Sequence, residues 1–287
     1  KNCFDDDGFP LSRNPNDLFF YAKYLIFCRE AIKDAQKYIP EFLENIIEKN
    51  IRCLNFIKCP DNQLPLFNGA SEIFLDQLNE YINLEERKKD TKNVIGGLFK
   101  LKHKNHLVFF DVGQPPKKSF SKCYQSGPLS FEYFLDGTKI ISNSGFGNNI
   151  SNKAELLSRL TACQSTLTLN DTSVSKFERN KIINKIFGNS MKDTFKIYDL
   201  NIINEKDIIN CSALHNGYEK KFSCTHKREI FIDKKNNYLK GVDHILKKKD
   251  GIPISYVFRF HVNPRLAVIK TIGGNSALIQ ISKKKSV

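Results

Sequence analysis

The sequence predicts an α+β protein with two regions, helices over residues 1–90 and a large antiparallel β-sandwich over residues 91–287. Apolar residues recur at helical spacing in the first region. From about Leu98 the apolar residues alternate with polar ones, and turn-forming residues separate the alternating runs. No strong helical segment lies between these runs, which favours a sandwich over a parallel βαβ sheet.

The first predicted helix covers residues 14–36, and either Asn14 or Asn16 can cap it. Its expected apolar stripe consists of Leu18, Tyr21, Leu25, Cys28 and Ile32. A second helix follows Pro40, with an expected stripe of Phe42, Ile46, Ile47, Ile51 and Leu54. Two antiparallel helices joined by a short turn are typical of one unit of a helical array, so we expect further helices upstream.

The strands are predicted from hairpin patterns over residues 99–113 and 129–145, the second turning at Asp136-Gly137. Later turns are expected at Asn236-Asn237 and at residues 273–275, and a short helix over residues 153–160. The charged stretch at residues 85–93 is the predicted boundary between the two regions.

The positive charge lies in the second region. Residues 1–90 contain 12 Lys and Arg against 16 Asp and Glu, whereas residues 91–287 contain 33 against 15. A basic region indicates a polyanionic partner, namely nucleic acid, an anionic membrane or an acidic polysaccharide, or else a solvated lysine-rich surface. No run of about 18 uncharged apolar residues occurs, so insertion into a membrane is not expected.

The stretch from His215 to Asp233 combines two histidines with many cationic residues. If it is extended from Tyr218 onward, its apolar face carries His226 and Arg228 inward. Buried cations need partners, so this pair either has an internal partner that stiffens the sheet or lines a groove for an anionic ligand. Metal binding is not expected, because His215 and His226 lie eleven residues apart without a carboxylate or histidine at ligand spacing.

Several segments, in order along nearly the whole chain, resemble the heparinase II/III family. They are residues 7–15 (DGFPLSRNP), 64–72 (LPLFNGASE), 107–116 (LVFFDVGQPP), 126–137 (SGPLSFEYFLDG), 159–173 (RLTACQSTLTLNDTS), 215–222 (HNGYEKKF), 225–233 (THKREIFID) and 258–264 (FRFHVNP). The resemblance implies the C-terminal helices of an α/α-toroid followed by the sandwich. It also implies a lyase that cleaves uronate-containing polysaccharides by β-elimination, and export to the periplasm or cell envelope.

The chain departs from the family where a metal and a catalytic histidine are usual. Residues 125–127 are Gln-Ser-Gly in place of His-x-His or His-x-Asp, residues 143–145 are Asn-Ser-Gly in place of Asp-x-Gly, and residues 164–166 are Gln-Ser-Thr in place of His-Asn-Thr. Amides and glycine are poor zinc ligands, and an amide is no general base near neutral pH. We therefore expect no metal and no cofactor.

The resemblance also suggests candidate site residues. Residues 215–218 match a recurrent His-Asp-Gly-Tyr pattern of the family, which makes His215 and Tyr218 the candidate catalytic residues. The candidate substrate-binding residues are Arg13, Asn14, Gln125, Arg159, Gln164, His226 and Arg228.

Two functions remain open from the sequence. The chain is part of a lyase acting on an acidic polysaccharide, or it is a glycan-binding or assembly module that has lost the chemistry, so whether it is an enzyme stays undecided. A nucleic-acid partner is not expected, because core packing explains aromatic residues at strand spacing, such as Phe222 and Phe231, without base stacking.

Overall fold

The computed structural model describes residues 3–85, 92–178, 180, 182, 184, 188–248, 255–282 and 285–287. Three helices, α1 (Pro15–Asp34), α2 (Glu41–Ile57) and α3 (Asn79–Glu85), precede the first strand. The predicted boundary stretch lies mostly outside the described residues, so its position stays a prediction. Within the described residues, no helix combines the length and the apolar character needed to cross a membrane.

Helix α1 begins as predicted, because the Asn14 side-chain oxygen accepts a hydrogen bond from the Asn16 N–H at 2.9 Å. The predicted stripe is wrong in part, since Tyr21 and Cys28 are exposed. Leu18 is buried as predicted, and Phe19, Ala22 and Ile26 occupy the buried side in place of Tyr21 and Cys28.

The predicted apolar stripe of helix α2 is also wrong in part. Phe42 is 73% exposed, while Ile47, Ile51 and Leu54 are buried as predicted. Leu43, next to Phe42, occupies the buried face instead. Both helices are apolar on more than one side, so the sequence alone leaves the packed side ambiguous.

The first sheet is antiparallel and follows the predicted hairpins. Its strands are β1 (Val94–Ile95), β2 (Leu98–His103), β3 (His106–Asp111), β4 (Phe131–Leu135), β5 (Thr138–Ser142) and β12 (His261–Val262), in that spatial order. Asp136 and Gly137 both have positive φ and form the predicted turn between β4 and β5. A short helix, α4 (Asn152–Ser158), follows this sheet near its predicted place.

The second sheet is also antiparallel. Its strands are β7 (Ile197–Asn204), β8 (Ile208–His215), β9 (Cys224–Asp233) and β10 (Tyr238–Lys247), in the order β10-β9-β8-β7. The remaining strands are β6 (Leu167–Leu169) paired with β11 (Tyr256–Phe258), and a meander of β13 (Ala267–Lys270), β14 (Ala277–Ser282) and β15 (Lys285–Ser286). The predicted turns at 236–237 and 273–275 both lie between strands.

The prediction of an extended chain from Tyr218 is wrong for its first six residues. Tyr218 caps a short helix, α5 (Glu219–Phe222), and Ser223 has a φ of 53° before β9 begins at Cys224. The predicted alternation holds from there, because Cys224, His226, Arg228, Ile230 and Ile232 are buried.

The first sheet lies between the helices and the second sheet. Leu107 and Phe109 on β3 belong to the core shared with α1 and α2, whereas Val108 and Phe110 belong to the core shared with the second sheet. Alternate residues of one strand point to opposite faces, so the sheet is apolar on both.

Candidate functional site

Gln125 and Gln164, which stand where the family resemblance places histidines, share one hydrogen-bond acceptor. The side-chain N–H₂ groups of Gln125 and Gln164 donate to the Ser158 carbonyl oxygen at 2.8 and 2.9 Å. Gln125 also donates to the Gly145 carbonyl at 2.8 Å, and its Oε1 accepts the Gly69 N–H at 3.0 Å. Each glutamine is 1% exposed, so these amides tie three loops together.

Asn14 contacts the same loop as Gln125. Its Nδ2 lies 3.4 Å from the Gly69 carbonyl oxygen, while its Oδ1 caps α1. Asn14 and Gln125, both predicted to bind substrate, therefore hold opposite polar groups of one glycine. We call Gln125, Gln164 and Asn143 the amide cluster.

Gly127 packs directly against this cluster. A Cβ atom at Gly127 would lie 2.9 Å from Gln164 Cγ and 3.1 Å from Ser130 Oγ, closer than side chains normally approach. The space that a larger residue would need at position 127 is taken by the glutamine at 164.

Gly127→Ala is therefore expected to lower the free energy of unfolding by about 1–3 kcal/mol through overpacking. Gly241→Ala is the matched control, since a Cβ there meets nothing closer than the Glu229 carbonyl oxygen at 3.9 Å. Urea unfolding of the two variants measures the difference, and equal stabilities would contradict the close packing at Gly127.

Asn143 belongs to the amide cluster and also lines a surface depression. Its Oδ1 accepts the Ser165 N–H at 2.9 Å, and its own N–H donates to Glu132 Oε1 at 3.1 Å. Its Nδ2 is buried and has no hydrogen-bond partner among the described residues. A buried amide group without a partner is unfavourable, so this N–H₂ is an unused hydrogen-bond donor beneath the surface.

A depression of about 240 Å³ lies over Asn143, and we call it the polar pocket. Its lining includes Asp61, Gln63, Glu72, Lys139, Ser142, Asn143, His261, Asn263 and Arg265. Lys139 Nζ is 3.2 Å from Glu132 Oε2, and both side chains are almost fully buried. Arg265 and Glu72 form an exposed pair at 3.7 Å. Many donors and acceptors with few apolar side chains are suited to a hydroxyl-rich ligand.

His261 contributes a titratable ring to the polar pocket. Its Nε2 lies 3.1 Å from the Ala162 carbonyl oxygen. A carbonyl oxygen only accepts, so Nε2 carries the proton and Nδ1 is the basic nitrogen of the neutral ring.

Arg13 links the helical region to the first sheet. Its Nη2 donates to Asp111 at 2.5 Å, and its remaining N–H groups donate to carbonyl oxygens that include those of Gly96 and Gly113, at 3.0 and 3.1 Å. All three nitrogens of the guanidinium group thus donate to protein acceptors.

Arg159 is fully buried and also bonds to the backbone. It donates to the carbonyl oxygens of Tyr124 and Ser121 at 2.9 Å and of Asn189 at 2.5 Å. Its guanidinium carbon lies 3.8 Å from the centre of the Phe177 ring. Burial lowers the pKa of Arg159 to about 10, so it remains a cation at neutral pH.

His215, His226, Asp243 and Arg228 form a chain of hydrogen bonds across β8, β9 and β10, which we call the histidine relay. His215 Nε2 is 3.1 Å from His226 Nδ1, and His226 Nε2 is 2.6 Å from Asp243 Oδ1. Arg228 donates to both oxygens of Asp243, at 2.7 and 3.1 Å. The predicted inward direction of His226 and Arg228 is confirmed, and Asp243 is their internal partner.

The direction of each hydrogen bond in the histidine relay follows from its first member. The Gly217 N–H donates to His215 Nδ1 at 3.1 Å, so His215 carries its proton on Nε2 and donates to His226. His226 then donates from Nε2 to Asp243. Both rings are neutral in this arrangement, and their nitrogens pair in series without converging on a point.

Burial sets the pKa values within the relay. It lowers the pKa of His215 well below 6.5, and the neighbouring His226 and Arg228 act in the same direction. Burial also lowers the pKa of His226, although the hydrogen bond to Asp243 opposes it. Burial alone would raise the pKa of Asp243, but its bonds to His226 and Arg228 bring it to about 2.

Tyr218 lies next to the relay and is also buried. Its hydroxyl donates to the Leu167 carbonyl oxygen at 2.9 Å and lies 3.3 Å from that of Thr172. Burial raises the pKa of Tyr218, so the phenol stays protonated. Among the described residues, no group of three or more His, Cys, Asp or Glu side chains is arranged to hold a metal ion.

A sequence model described as heparinase II/III-like, C-terminal, matches residues 87–286. The chain belongs to the heparinase II/III-like C-terminal family. No curated protein matches this heparinase II/III-like chain.

Solved structures similar to the chain share its fold. A heparinase III with methylated lysines has a TM-score of 0.70 at 17% identity, over 97% of this chain and 43% of that one. A mutant heparan sulfate lyase from Pedobacter heparinus has a TM-score of 0.70 at 15% identity, over 96% of this chain and 44% of that one. Another heparinase III has a TM-score of 0.69 at 13% identity, over 99% of this chain and 47% of that one.

These likenesses confirm the predicted fold class, the last helices of an α/α-toroid followed by an antiparallel β-sandwich. The heparinase II/III-like chain spans less than half the length of these structures.

The structure brings the predicted site residues together in two groups. Asn14, Gln125 and Gln164 lie in or beside the amide cluster, and His215, His226 and Arg228 form the relay. Arg228 Nη1 joins the two groups, because it donates to the carbonyl oxygen of Ser165, the residue after Gln164, at 2.8 Å. Arg13, Arg159 and Tyr218 are bound separately: backbone carbonyl oxygens accept hydrogen bonds from all three, and the Asp111 carboxylate also binds Arg13. The assignments to catalysis and substrate binding stay predictions.

Sequence reasoning missed Asp243 and the buried pair of Glu132 with Lys139. The observed four-residue loop at 234–237 places residue 243 opposite residue 228, whereas a two-residue turn at Asn236-Asn237 would have placed Ile245 there. No sequence pattern indicated the pair on β4 and β5.

Proposed function

We propose that this heparinase II/III-like chain forms one wall of a binding site for an acidic polysaccharide. Its sandwich supplies contacts to the sugar. Gln125 and Gln164, at the family's histidine positions, stabilise the fold. This corresponds to the glycan-binding hypothesis from the sequence. Export to the periplasm or cell envelope stays part of the proposal.

The observation that carries this proposal is the polar pocket, whose lining includes Asn143, a residue with a buried Nδ2 that has no hydrogen-bond partner among the described residues. A hydroxyl or carboxylate oxygen of a sugar would satisfy it. Lys139 and Arg265 line the same pocket, but Glu132 and Glu72 pair with them and Asp61 adds a carboxylate, so the pocket offers hydrogen bonds without a net positive charge. Family membership supports a polysaccharide as the ligand.

Proton transfer at the predicted positions is hindered by their hydrogen bonds. All the hydrogen-bonding groups of the Gln125 amide are occupied by backbone, and an amide does not exchange protons as a base near neutral pH. His215 and Tyr218 have no exposed surface, so a sugar could reach neither without opening the sheet.

Replacing Asn143 with aspartate tests the proposal. The change keeps an oxygen for the Ser165 N–H but turns the unpartnered donor into an anionic acceptor. Binding of a short uronate oligosaccharide, measured by calorimetry with a metal chelator present, should weaken by about tenfold or more.

Asn275→Asp is the matched control, because it makes the same charge change in an exposed turn of the β13–β14 hairpin. Equal affinities of the two variants would contradict a role for the polar pocket. A wild-type chain that binds no uronate oligosaccharide would overturn the proposed function itself.

β-Elimination is the second candidate, and His261 favours it. The reaction needs a base for the C5 proton and a neutralising group for the uronate carboxylate. His261 and Arg265 line one pocket and could fill these roles if Arg265 exchanges Glu72 for the uronate carboxylate. Release of unsaturated uronate by the wild-type chain, lost in His261→Ala, would replace the binding-only function with this one.

A further inference from the structure

We propose that the acidic polysaccharide continues past the polar pocket into a second depression, the lysine cleft, which holds its anionic groups. The lysine cleft lies between the end of α2 and the turn ends of the β2–β3 and β4–β5 hairpins. This inference rests on the proposed function for the identity of the ligand, and it adds a second site and a minimum length of polymer.

The lysine cleft has a volume of about 580 Å³ and a one-sided charge. Its lining is Asn55, Lys58, Cys59, Pro60, Lys100, Lys102, Lys104, Asn105, His106, Leu107, Phe134 and Gly137. Four of these residues are lysines and none is acidic. Such a concave surface with one sign of charge attracts a polyanion.

The four lysines differ in how firmly they are held. Lys100 Nζ donates to the Phe56 carbonyl oxygen at 2.7 Å and lies 5.3 Å from the centre of the Phe56 ring. It is therefore a fixed charge at the base of the cleft. Lys102 and Lys104 are exposed at the rim, where a passing polymer would meet them.

Lys104 occupies a backbone conformation that does not suit lysine. Its φ is 47° in the two-residue turn between β2 and β3, where glycine or asparagine is favoured. A lysine in this conformation costs some stability, which an asparagine at the same position would reduce.

The lysine cleft and the polar pocket lie on the same face of the first sheet. Lys102, Leu107, Phe134 and Lys139 are successive cross-strand partners on β2, β3, β4 and β5, so their side chains share that face. Lys102 lines the cleft and Lys139 lines the pocket. Three strand spacings separate them, or about 14 Å.

One tight turn divides the two depressions. The Asn62 N–H donates to the Cys59 carbonyl oxygen at 3.0 Å, closing a turn in which Cys59 and Pro60 line the cleft and Asp61 lines the pocket. A chain molecule that crosses this turn can occupy both depressions, with hydroxyl contacts in the polar pocket and charge contacts in the cleft.

The lining of the cleft favours a polysaccharide over nucleic acid. Proteins that bind single strands without sequence preference stack bases on exposed aromatic rings. The only phenylalanine that lines the cleft, Phe134, is fully buried, and Leu107 is 7% exposed. The cleft thus provides charge without a surface on which bases stack.

The test uses the double variant Lys102→Ala/Lys104→Asn. Asparagine suits a positive φ, so the change at 104 removes a charge without straining the turn. Binding of a long uronate polymer should weaken by about tenfold or more, with a smaller dependence on salt. Binding of a short oligosaccharide that fills only the polar pocket should stay unchanged.

Lys192→Ala/Lys206→Ala is the matched control, since it removes two exposed positive charges elsewhere and should leave both affinities unchanged. Long-polymer affinity that is equal in wild type and the cleft variant would overturn the inference, and so would an equal loss for long and short ligands. Homopolymer DNA that competes for the cleft as strongly as the uronate polymer would assign it to nucleic acid. If wild type binds neither uronate ligand, the proposed function fails first.

Discussion

Asp243→Ala is expected to lower the free energy of unfolding by about 3–5 kcal/mol, the usual effect of removing one partner from a buried ion pair. The variant leaves the Arg228 guanidinium, 1% exposed, without its carboxylate. It also leaves the Nε2–H of the fully buried His226 without an acceptor. Urea unfolding near neutral pH measures the loss.

Glu229→Ala is the control for this prediction. Glu229 pairs with Lys227 at 2.7 Å and with His244 at 3.3 Å, in positions that are part-exposed. Its loss should change the free energy of unfolding by about 1 kcal/mol or less. If both variants lose the same stability, the relay contributes no more than a surface pair.

Stability should fall steeply as the pH drops below about 6.5, the ordinary pKa of histidine. The pKa values of His215 and His226 are lowered in the folded chain. At these pH values the unfolded chain therefore binds two protons that the folded chain does not bind. Proton uptake by the unfolded state alone favours unfolding. Each histidine contributes up to about 1.4 kcal/mol per pH unit.

This loss is present only below the unfolded pKa, so stability should not depend on these two histidines above about pH 7. Asp243 adds to the loss only below 3.8, the ordinary pKa of its carboxyl, because its folded pKa is about 2. Urea midpoints across this pH range test the prediction. His244→Gln, at a side chain 44% exposed, should keep the slope, and a flat profile between neutral pH and about pH 5.5 would refute it.

Much of the fold could be predicted because its determinants are local. A change of apolar period separates helices from strands, and the turn at Asp136-Gly137 needs only two residues able to adopt positive φ. The packed faces of α1 and α2 were harder to predict. Phe20, Tyr24 and Phe27 are exposed on α1, so apolar side chains occur on several sides and the neighbouring elements select one.

The short helix α5 shows where a period-two pattern fails. Residues 218–223 fit an extended strand, but the Phe222 N–H donates to the Tyr218 carbonyl oxygen and Ser223 adopts a left-handed conformation. This break positions the Tyr218 hydroxyl against Leu167, a contact across 51 residues that no local pattern contains.

The candidate site divides in the same manner. The alternation of β9 is sufficient to place His226 and Arg228 inside, but Asp243 follows only from the observed register, which is two residues away from that of a turn at Asn236-Asn237. The unsatisfied Asn143 amide could not be predicted, because it depends on which of several distant loops approach it. The family resemblance places a metal-binding aspartate at position 143, whereas the asparagine here accepts the Ser165 N–H and leaves its Nδ2 without a partner among the described residues.

The bond between Arg13 and Asp111 has a consequence for how the molecule folds. A sandwich excised at residue 91 would keep the buried Asp111 without its cation and would expose the apolar side of β3 that carries Leu107 and Phe109. Neither half can reach its minimum of free energy alone, so we expect helices and sheets to melt in a single shared transition. The spacing of the apolar residues changes at this boundary because the architecture changes there. The two regions nevertheless depend on each other, so the boundary is unsuitable for dividing the polypeptide.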